Sequence, residues 1–174
     1  MFYRKTIITI LVAVVFALGA WAQTSPPHHH PDMVVVDGAK NPELIPDATA
    51  YRLWLITVSE LPTATVEDRN RQKAHLAVLN LTTLDNLQLT TILADFKGQY
   101  LSLIGRYNEA ATGALAHGEH LDQTLFLQQR DDLVSATRTA IASRMSPQSV
   151  ALLNAHIQDE KKHIQLHTTK GEVQ

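Results

Sequence analysis

Leu89, Leu93, Phe96, Tyr100, Leu103, Tyr107 and Ala110 recur at alternating intervals of four and three, and no other feature constrains this chain as much. Such an a/d seam needs a long helix with a second helix lying nearly antiparallel against it, knobs into holes. The other long apolar segments also have helical rather than alternating spacing. The predicted fold is therefore all-α, a single-domain bundle of about five helices with an extended N-terminal arm.

Punctuation sets the expected boundaries. A first helix opens at Asp47, read as its N-cap, presents Tyr51, Trp54, Leu55 and Val58, and stops near Pro62. A second covers about 66–80, with Ala74, Ala77, Val78 and Leu81 along one side. The seam helix spans about 84–112 and breaks where Gly113 and Gly118 bracket 114–117. A fourth, about 119–144, carries Leu121, Leu125, Phe126, Leu133, Ala140, Ile141 and Met145. Ser146 as N-cap and Pro147 at the first helical position begin a fifth, which carries Val150, Leu153, Ile157 and Ile164 to about His167. Tyr51, Trp54, Phe96, Tyr100 and Tyr107 are the expected core anchors.

The N-terminus reads as a secretory signal. Arg4 and Lys5 form a basic n-region, residues 6–17 an apolar h-region, and Ala20-Trp21-Ala22 a small-x-small site, so cleavage is expected between Ala22 and Gln23. The apolar run is shorter than the roughly 20 residues that span a bilayer, which argues against stable membrane insertion after cleavage. The expected organisation is signal peptide 1–22, flexible leader and extended arm 23–46, bundle 47–168 and disordered tail 169–174. The location implied is secreted or periplasmic. The chain has no cysteine. That removes disulfides, a lipid-modified cysteine, thiol catalysis and Cys-based metal sites, and leaves stability to packing. A mature charge of about -4, once Arg4 and Lys5 leave with the signal, argues against nucleic acid as a partner.

Nine histidines in an exported chain without cysteine are the one compositional hint of a metal. His156, Glu160, His163 and His167 are spaced by four, three and four, which on a continuous helix sets them in one column. Neutral imidazole suits Zn, Cu or Ni, and neighbours at i and i+4 can share an ion. The same column borders the apolar face of Leu153, Ile157 and Ile164, where His is also an ordinary boundary residue. His117 and His120, in a glycine-punctured turn, are further candidates if that turn faces the last helix. His28 to His30 in the leader offer an unselective scavenging tract.

Catalytic patterns are absent: there is no Gly-x-Ser-x-Gly, phosphate loop, dinucleotide fingerprint or His-Glu-x-x-His, and Asp131-Asp132 beside Arg130 reads as a solvated helix face. Asn80-Leu81-Thr82 matches a glycosylation sequon only formally.

Residues 36–47, Val-Asp-Gly-Ala-Lys-Asn-Pro-Glu-Leu-Ile-Pro-Asp, leading into Tyr51-Arg52-Leu53, resemble the opening of small exported bacterial helical proteins, a group that brings no activity with it. Met145-Ser146-Pro147-Gln148 after long helices is similar to the Leu-Thr-x-x-Gln motif of Spy/CpxP-like periplasmic proteins, which implies chaperone or stress-sensor activity. Met and Ser stand here for Leu and Thr, Gln148 comes one residue early, and there is no second copy. The leading expectation is a non-enzymatic exported module that binds a protein or peptide in an apolar groove between helices, with a homodimer open. The alternative is a metal-binding protein, in sensing or buffering.

Overall fold

The computed structural model describes residues 33–59 and 64–169. The expected signal, its cleavage point and the histidines of the leader lie outside the described residues. The chain runs β1 (Met33–Asp37), a 3-10 turn (Pro42–Leu44), α1 (Asp47–Val58), α2 (Val66–Val78), α3 (Thr83–Ala116), α4 (Thr124–Arg144), α5 (Pro147–Glu160), a second 3-10 turn (Lys161–His163) and β2 (Gln165–Thr169). The all-α bundle holds, with one small two-stranded sheet added among the described residues.

Helix ends follow local chemistry. Thr65 caps α2 in a reciprocal box: its hydroxyl accepts from the Asp68 N–H (3.1 Å) and its own N–H donates to the Asp68 carboxylate (2.9 Å). Asn80 ends α2 in the left-handed region at φ 46°, a role Asn tolerates. Gly113 does not break α3. The helix runs on to Ala116 and closes at Gly118 (φ 67°), whose N–H donates to the Leu115 carbonyl while the Glu119 N–H donates to that of Ala114, a Schellman closure. This closure delays α4, which starts at Thr124 rather than near 119.

Three further expectations are corrected. Asp47 does not cap α1. Pro46 holds the cap position, and the Asp47 carboxylate instead accepts from Gln158 Nε2 (3.0 Å) and pairs with the buried Lys161 ammonium (2.5 Å). The hydrogen bond from Gln158, then that from Lys161, holds its carboxyl below the usual carboxylate range. The stripe on α2 is displaced: Ala74, Ala77 and Val78 are exposed, and Gln72, His75, Leu76 and Leu79 face the body. The fifth helix stops at Glu160 instead of His167, because the chain turns to bring Lys161 onto Asp47 and then pairs as β2. The extended arm expected before the bundle lies on it: β1 pairs antiparallel with β2, Val35 opposite His167, and Val36 and Ile45 are buried in the core. Gly38 is required at this corner, since a Cβ there would fall on the Lys161 carbonyl oxygen and 2.8 Å from that of Ile164.

The core is built by Leu55 and Val58 of α1, Leu89, Ile92, Leu93 and Phe96 of α3, Ile141 of α4, and Leu153 and Ile157 of α5. Along the heptad seam Leu89, Leu93, Phe96 and Leu103 are buried, whereas Tyr107 is half-buried against Phe126 (ring centroids 4.4 Å apart) and Ala110 is exposed. Beyond Leu103 the face drifts to Ala111 and Ala114, as a 3.6-residue turn does against a 3.5-residue repeat. At 34 residues α3 is about 51 Å long, so its second half outruns the short helices α1 and α5.

One carboxylate joins the ends of these helices. Asp85, third residue of α3 and 4% exposed, accepts from the Thr82 hydroxyl (2.9 Å), the Ser146 N–H (2.9 Å), the Ser146 hydroxyl (2.7 Å) and the Ser149 hydroxyl (2.7 Å). The start of α3 is thereby tied to the start of α5. Hydrogen bonds from Ser146, side chain first and then backbone, hold the Asp85 carboxyl far below its ordinary value of 3.8. A carboxyl depressed in the folded state contributes its stability fully above pH 3.8 and loses it as pH falls through the folded value. Asp85→Ala is expected to melt at a clearly lower temperature at neutral pH, with the gap to the parent chain closing in strong acid, as read by circular dichroism. An unchanged melting temperature at neutral pH would contradict this role.

Candidate metal centre

The bundle brings three possible ligands together from two helices. On α5, His156 and Glu160 are one turn apart and face the same way, and α2 lays His75 beside them. His75 Nδ1 is 3.3 Å from His156 Nε2, and Glu160 Oε1 is 3.9 Å from each nitrogen. The imidazole centroids are 5.5 Å apart with planes inclined at 61°. Among the described residues this is the one group of three or more His or carboxylate side chains close enough to share an ion.

The distances suit a small tetrahedral cation. Two nitrogens each 2.0–2.1 Å from such an ion stand about 3.3 Å apart, the separation of the two imidazole nitrogens. The carboxylate oxygen would have to close in by about 0.5 Å from its 3.9 Å, within reach of a side-chain rotation. The side chains are 20%, 12% and 29% exposed for His75, His156 and Glu160, so the group sits in a shallow, partly desolvated seat with an approach from solvent. Burial, the largest influence, pushes the His156 pKa down; the neighbouring Glu160 charge opposes that and His75 adds to it. Burial thus favours its neutral imidazole, the form that ligates.

Of the histidines singled out in the sequence, only His156 joins this group, together with Glu160. His163 lies in the 3-10 turn and His167 on β2, both exposed and off the helical column, because the helix ends at Glu160. His117 and His120 lie in the exposed turn between α3 and α4, outside the cluster. The ligand missed is His75. A stripe through Ala74, Ala77 and Val78 does not include His75, which shares the inward side of α2 with Gln72, Leu76 and Leu79.

A depression of about 410 Å³ between α3 and α4 is lined by Leu103 and Leu133 together with polar groups, among them Gln99, Arg106 and Asp132. No helix of the described residues is long and apolar enough to cross a membrane. Comparisons with protein-family models, with curated proteins and with solved structures find no match, so the chemistry of the site is read from its own side chains.

Proposed function

We propose that this chain is an exported helical protein that binds a divalent transition metal, zinc, copper or nickel, through His75, His156 and Glu160, in buffering or sensing. The observation that carries this reading is the 3.3 Å approach of His75 Nδ1 to His156 Nε2 with a carboxylate at equal distance from both. Two imidazoles and one carboxylate leave a fourth tetrahedral position for water or an incoming ligand, an arrangement suited to taking up and handing on a metal.

Competition titration with zinc, copper and nickel tests the reading, with His28, His29 and His30 replaced by Ala to silence the leader. Because loss of an outer-shell partner alone weakens metal affinity about 10- to 100-fold, His75→Ala and His156→Ala should each weaken it by at least about 100-fold. Equal affinity in the parent and these variants would refute the site.

A second reading has its own observation. Among residues 104–133 none is buried, and Leu115 (80% exposed) and Leu125 (63%) are exposed in the same stretch of the α3–α4 hairpin as the half-buried Tyr107–Phe126 pair. A second copy laid on this face would complete a four-helix arrangement, so the protein module expected from the sequence takes the form of a homodimer. Sedimentation velocity should show a dimer at micromolar concentration that Leu125→Ser with Leu115→Ser dissociates. A monomer at every concentration would dismiss it.

A further inference from the structure

The two halves of the metal site are not held equally. His156 and Glu160 stand on α5, whose start is clasped by Asp85, whose end is tied through Gln158 and Lys161 to Asp47, and whose Leu153 and Ile157 are buried in the core. His75 stands on α2, which has no buried residue within its own span and reaches the core through Leu76 and, just past its end, Leu79. Its tertiary polar contacts among the described residues are two. Gln72 Nε2 donates to the Val58 carbonyl on α1, and His75 meets His156 and Glu160. Val66, Ala74, Ala77 and Val78 all face solvent.

The structure therefore points to a metal-operated latch, an inference that rests on the metal reading above. Metal bonded to His75, His156 and Glu160 fixes α2 on α5, and without it α2 undocks from the otherwise rigid bundle. A ligand that binds only the closed form lowers the open population by the factor 1 + [L]/Kd. The regulated output of the site is thus the docking of one helix, which carries the exposed Val66 and Val78 with it and covers the part of the core against which Leu76 packs.

Hydrogen exchange on the full chain, with zinc as probe and a chelator as its control, reads this helix by helix. In the zinc-free protein the amides of α2 should exchange well ahead of those of α3 around Leu89 to Phe96, and zinc at about 100 times its Kd should slow the α2 amides about 100-fold. In His75→Gln zinc should produce no such slowing. Zinc binding that needs His75 while α2 is already as protected as α3 without metal would overturn the latch and leave the metal site standing. Zinc binding with α2 still exchanging fast would also overturn it, with the ion held on α5 alone. Absence of zinc binding would overturn both.

Discussion

The Asp85 carboxylate is the tie on which the arrangement of helices depends. It sits 4% exposed at the first turn of α3 and receives hydrogen bonds from Thr82, Ser146 and Ser149. A buried carboxylate with fewer donors would be expensive, and with these it is the anion that the N-terminal ends of two helices favour. Since α5 begins at Ser146, the direction in which α5 leaves its corner is set there. In a chain without cysteine this polar clasp joins elements that no disulfide can join.

The proposed metal site inherits its geometry from that corner. With the start of α5 fixed at Asp85 and its far end drawn onto Asp47 through Gln158 and Lys161, His156 and Glu160 present one turn of helix at a set height. The Thr65 box and the left-handed Asn80 delimit α2, and its phase delivers His75 across to them. What results is a half-site built into the bundle facing a half-site on its least anchored helix. In the proposed metal reading, this division of a firmly held and a loosely held ligand would let one ion act on the fold.

Legibility in the sequence followed the range of the interactions. The a/d spacing from Leu89 to Leu103 revealed α3, and Ser146-Pro147 revealed the start of α5, because both are local patterns with one strong structural solution. Capping by Thr82 and Asp85 is local too, but the onward bonds of Asp85 to Ser146 and Ser149 join residues 61 and 64 positions apart and leave no spacing to read. The stripe on α2 was misphased because Ala74, Ala77 and Val78 are apolar yet outward, while Gln72 and His75 are polar yet inward, each satisfied by a partner on another helix. Residues beyond Glu160 kept helical spacing on paper, and only pairing with β1 made Leu166 inward and His167 outward. Two of the three residues of the site, His156 and Glu160, are therefore visible as an i, i+4 pair, and its completion by His75 is a matter of tertiary packing.

X-ray absorption at the zinc edge, on the full chain with His28, His29 and His30 replaced by Ala and one equivalent of zinc bound, tests the central claim most directly. The account requires two imidazole nitrogens at about 2.0–2.1 Å in a four-coordinate shell completed by oxygen, falling to one imidazole in His75→Ala. A shell without imidazole, or one that the loss of His75 leaves unchanged, would contradict it.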